Sequence, residues 1–72
     1  MHTYFNSVIV IRKSPATYRH QAALRTDGFQ WHDNRWERRY DNNTYFRWAN
    51  IMRREPDAGD WPVKRIQASP DY

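Results

Sequence analysis

Seventy-two residues make one domain, near the lower size at which a single core carries folding without help. The chain has no cysteine, which excludes disulfides and thiolate metal sites, and His2, His20 and His32 lack metal-ligand spacing. The net charge of +4 and pI near 9.9 suggest a polyanionic partner.

Stability must therefore come from packing, and the 17% aromatic content is what can supply it. The first segment, residues 3–12, is rich in β-branched and aromatic residues. Its run Val8-Ile9-Val10-Ile11 is apolar on both faces. That suits a central strand covered on both sides, or covered on one side and partnered on the other. The run is far too short for a membrane span or a signal-peptide core, so a cytoplasmic location without membrane contact is expected.

Ser14-Pro15 reads as an N-cap followed by proline at the first helical position, where its missing N–H costs nothing. The helix should run to about Thr26 and stop at Gly28, a residue free to adopt the left-handed conformation. On a helical wheel Tyr18, Gln21, Ala22 and Leu24 share one arc, which places Tyr18 and Leu24 in the expected core.

Phe29 and Trp31 alternate with Gln30 and His32, the period of a half-buried strand. Asp33-Asn34 tolerate positive φ and offer a two-residue hairpin turn. With a two- or a four-residue loop, Trp31 falls directly opposite Trp36, and Phe29 joins that face. Phe29, Trp31 and Trp36 are expected to be core, the two tryptophans in preference to forming a stacking platform, while Gln30, His32, Arg35, Glu37 and Arg39 project from the other face.

Asp41-Asn42-Asn43 offers several N-caps for a second helix. Within residues 44–55, Tyr45, Trp48, Ala49 and Met52 follow i, i+3, i+4, i+7, so Tyr45, Trp48 and Met52 complete the expected core. Pro56 stops the helix. Residues 61–67 read as a last strand that Pro62 would restrict to an edge, and residues 68–72 as a frayed tail. The expected fold is a small α+β domain over residues 1–67, β-α-β-β-α with a possible final β, its two helices against one face of an antiparallel sheet.

The stretch ATYRHQAALRTDGFQWHDNRWERRYDN, residues 16–42, resembles the module of HARP-like domains of annealing helicases and of small bacterial and phage proteins. The matching positions are Tyr18, Leu24, Gly28, Phe29, Trp31 and Trp36, and the preceding strand and following helix extend the likeness over about three-quarters of the chain. The chain departs from the pattern in carrying Arg35, not lysine, before the second tryptophan, and in adding residues 61–67. The resemblance implies the β-α-β-β-α fold and work near nucleic acid, and it implies no catalytic residue.

Residues 12–54 hold ten basic and four acidic residues, a local excess of +6, and residues 55–72 hold two and four, a deficit of −2. Ten of the twelve basic residues are arginine, suited to bidentate phosphate contact and to stacking. Arg35, Arg38 and Arg39, with Arg12 and Lys13, form the expected contact set for nucleic acid, for single strands in preference to duplex. A solvated sheet face is the plainer account of the same charges. Phe46 and Trp61 are expected to be exposed rings, suited to base stacking or to a protein interface.

His20 or His32 as a catalytic acid or base lacks an accompanying carboxylate pair, nucleophile motif or phosphate loop, so a non-enzymatic protein without cofactor or metal is expected. The alternative is a phage or mobile-element inhibitor of a host defence or nucleic-acid-processing complex, of the anti-CRISPR or anti-restriction type. It would bind protein through an edge strand, with Arg47, Arg53 and Arg54 against an acidic partner or the acidic tail in a nucleic-acid channel. The expected state is a monomer, or a weak homodimer formed through the edge strand.

Overall fold

Ser14 caps the first helix reciprocally: its hydroxyl accepts from the Thr17 N–H at 3.2 Å, and the Thr17 hydroxyl accepts from the Ser14 N–H at 2.9 Å. Pro15 follows at the first helical position, as expected. The structure, a computed structural model, describes residues 7–67. Residues 3–6 of the expected first strand and the expected tail 68–72 lie outside the described residues.

The elements in chain order are β1 (Ser7–Arg12), α1 (Pro15–Arg19), α2 (Gln21–Thr26), β2 (Gln30–His32), β3 (Arg35–Arg39), α3 (Asn42–Arg53) and β4 (Val63–Gln67). All strand pairs are antiparallel, in the spatial order β2-β3-β1-β4. The α+β class is as expected, and the final strand exists at the sheet's edge. Pro62 stands just before it, so the proline removes no ladder N–H, and its carbonyl accepts from the Arg12 N–H at 3.1 Å.

One expected helix is two. The chain breaks at His20, whose backbone (φ −102°, ψ 13°) leaves the helical region. The buried stripe is also shifted by about one position from the expected arc. Ala16, Thr17 and Leu24 are buried, while Tyr18 is 73% exposed and is not core. Ala16 and Thr17 are small, so turning them inward brings the helix backbone closer to the sheet than a tyrosine ring permits.

Ile9 and Ile11 point to the helix side with Trp36, Phe29, Trp48, Met52, Ala58 and Val63, and these form the core with Ala16 and Leu24. Tyr45 is half-buried and packs against this cluster. Asp41 is the N-cap of α3, accepting from the Thr44 N–H and hydroxyl, each at 3.0 Å. These two bonds, the backbone one foremost, hold the Asp41 carboxyl below its ordinary pKa. Trp48 sits at the centre, edge-on to both Phe29 and His20 at ring-centroid distances of 5.9 Å.

Candidate functional site

The turn between β2 and β3 is the two-residue loop Asp33-Asn34, with φ of 53° and 66°. Positive φ at both residues gives the turn the twist that suits a hairpin. The register then places Trp31 opposite Trp36, His32 opposite Arg35, and Gln30 opposite Glu37. The two indoles meet edge-to-face at 5.3 Å on the helix side. They part in burial: Trp36, on an inner strand, is core, but Trp31, on the outermost strand, is 47% exposed. Trp31 is thus a correction to the expected core.

On the face opposite the helices, β3 pairs β1 so that Arg35 lies directly across from Arg12, Glu37 from Val10, and Arg39 from Val8. β4 adds Lys64 beside Val10 and Ile66 beside Val8. Arg12, Arg35, Arg39 and Lys64 therefore share one face with a single strand carboxylate, Glu37, which accepts from Arg35 Nε at 2.6 Å. Val8 and Val10 are buried on this face too. They lie between rows of long side chains whose hydrocarbon stems can cover them while the charges stay in water. Arg12 donates to the Asp60 carbonyl at 2.5 Å.

Arg38 does not belong to that set. Its parity is that of Trp36, so it points to the helix side, where its Nε donates to the Asp27 carbonyl at 2.6 Å. A Cβ at Gly28 would come within 3.1 Å of that nitrogen. Arg47 is engaged as well, donating from Nε to Asp27 Oδ2 at 3.1 Å, although it remains half exposed. Arg54 caps the C-terminal end of α3 and is exposed, far along the chain from the hairpin set. Phe46 and Trp61 are exposed, at 56% and 80%.

A cleft of about 320 Å³ opens between α1–α2 and the hairpin. It is lined by Lys13, Tyr18, Gln21, Arg25, Trp31 and Trp36, among others. The Arg25 guanidinium stands 5.3 Å from the centre of the Trp36 ring. Sequence reasoning missed this cleft because it placed Tyr18 and Trp31 in the core. The available signal was the length of the hairpin: a short edge strand leaves its outward ring with little to lie under.

Among the described residues no group of three or more histidine, cysteine or acidic side chains is placed to hold a metal ion. None of their helices is long and apolar enough to cross a membrane. Comparison with protein-family models, with curated proteins and with solved structures finds no significant match.

Proposed function

We propose that the protein is a small nucleic-acid-associated module that contacts the phosphates of single strands through the helix-free face of its sheet. The observation that carries this reading is the placement of Arg12 directly opposite Arg35, with Arg39 and Lys64 on the same face. Four cations against the one strand carboxylate of this face, Glu37, leave it net positive, and a polyanion laid across it gains that attraction and releases its own counterions. The resemblance of residues 16–42 to HARP-like modules supports the same reading, as does the net charge of +4.

The test is fluorescence anisotropy of a labelled single-stranded oligonucleotide over a salt series. Each phosphate contact contributes about −0.7 to the slope of log K against log salt, so Arg35→Gln and Arg39→Gln should each flatten it by that amount. Absence of binding at low salt, or an unchanged slope in both variants, removes the reading.

A second reading, a mobile-element inhibitor that binds a host complex, draws on Trp61. This ring is 80% exposed and its backbone holds φ 51°, a conformation costly for a bulky residue and common where a side chain is held out for contact. A stoichiometric complex in nuclease-treated host lysate, lost in Trp61→Ala and kept in Arg39→Gln, is its expected signature.

A further inference from the structure

We propose that the cleft between α1–α2 and the hairpin seats one unstacked base of a single-stranded nucleic acid, stacked on Tyr18 and Trp31, with Lys13 and Arg25 meeting the flanking phosphates. This inference rests on the nucleic-acid reading above and adds to it a second, chemically distinct contact on the other side of the sheet.

Two large aromatic rings wall the same cleft while remaining 73% and 47% exposed. A chain this small gains most of its stability by covering such rings, so leaving two of them beside one opening is costly for folding alone. The volume of 320 Å³ lies at the low end of the ~300–1,000 Å³ typical of ligand sites, which suits one planar group better than an extended ligand.

Charge narrows the occupant. Lys13 and Arg25 line the opening, and among the described residues that line it none is acidic. Stacking rings beside cations with no opposing carboxylate is the chemistry that takes a base and its phosphates. Gln21 adds an amide that both donates and accepts, able to meet the polar edge of a base.

The cleft also lies at the Arg12–Arg35 end of the basic face. Arg12 precedes Lys13, His32 follows Trp31, and Arg35 precedes Trp36, each pair pointing to opposite sides of the hairpin end. One strand can cross the β2 edge, with a base turned into the cleft and neighbouring phosphates on the outer face.

The experiment compares a 12-nucleotide oligothymidylate with an abasic oligomer of equal length, using anisotropy and quenching of indole fluorescence at fixed salt. Base stacking of ~1–3 kcal/mol predicts that the base-bearing strand binds roughly 5- to 150-fold more tightly. Tyr18→Ala should shrink that ratio, and Trp31→Ala should reduce it further and abolish much of the quenching. Tyr18→Ala should leave the affinity for the abasic strand unchanged. Tyr18→Ala removes a ring that is mostly in solvent, so its folded state is secure even if Trp31→Ala unfolds the hairpin.

Equal binding of the two strands overturns the cleft assignment and leaves the phosphate-contacting face standing. A ratio that survives both substitutions overturns it as well. Binding of neither strand removes both readings. Quenching by a proline-rich peptide, without quenching by the oligonucleotide, gives the cleft to a different occupant and overturns the inference.

Discussion

The indole N–H of Trp48, in the middle of α3, donates to Oδ2 of Asp27 at 2.6 Å, where α2 ends. The same carboxylate oxygen accepts from Arg47, and the backbone carbonyl of Asp27 accepts from Arg38 on β3. One residue at a helix end thereby ties together α2, α3 and the central part of the sheet. Trp48 is buried, so its N–H depends on this acceptor.

Asp27→Ala should destabilise the fold by about 1–3 kcal/mol, because it orphans a buried donor. Asp27→Asn keeps an acceptor oxygen and should lose less. Urea unfolding followed by tryptophan fluorescence separates the two, and equal losses would mean that the indole bond contributes little.

The hairpin turn gives a prediction of opposite sign. Asn34 holds φ 66°, which glycine adopts without the steric cost that an ordinary side chain meets. Asn34→Gly should hold or raise the melting temperature, and Asn34→Val should cost about 1–2 kcal/mol. Thermal melts by circular dichroism read both.

Acid should act through the cluster that joins the helix break to the loop after α3. Glu55 accepts from His20 at 3.1 Å and from Arg19 at 2.5 Å, and Arg19 also bonds both oxygens of Asp57 at 2.9 Å. The His20 bond first, then the Arg19 bond, lowers Glu55 from its ordinary 4.5, and the Arg19 bond lowers Asp57 from 3.8. In the same cluster, bonding first to Asp57 and then to Glu55 raises the Arg19 guanidinium. Both carboxyls have folded values below their unfolded ones, so their contribution is complete above the unfolded values and disappears as pH falls through the folded ones. The melting temperature should therefore decline as pH falls from 4.5, and Arg19→Ala should flatten that decline. Identical pH profiles for the two proteins would exclude the cluster as the cause.

Helix phase offers the last test. Leu24 is fully buried and Tyr18 is mostly exposed, although a wheel drawn on one continuous helix puts them on a common arc. Leu24→Ala should cost about 2–5 kcal/mol, whereas Tyr18→Ala should change stability by less than about 0.5 kcal/mol. Comparable losses at both positions would restore Tyr18 to the core.

Features that depend on near neighbours were legible in the order of the residues. Ser14-Pro15 and the stretch Asp41-Asn42-Asn43 start helices because a hydroxyl or carboxylate two or three residues back can take the first free N–H groups, the structure selecting Asp41 from the three. Asp33-Asn34 closes the hairpin because these side chains tolerate positive φ, and a two- or a four-residue loop centred there sets Trp31 against Trp36. The alternation that follows puts Arg35 and Arg39 on one side and the indoles on the other.

Which member of each pair is covered depends on long-range packing. Trp31 and Trp36 share a face, but β3 is an inner strand and β2 an edge, so one ring is buried and the other lines a cleft. Arg38 and Arg39 are adjacent in the chain, yet one reaches the Asp27 carbonyl on the helix side while the other lies on the opposite face of the sheet. Burial is a property of what lies overhead, and that is supplied by residues distant in sequence. The break at His20 belongs to the same class, since the imidazole's partners Glu55 and Trp48 arrive from the far half of the chain.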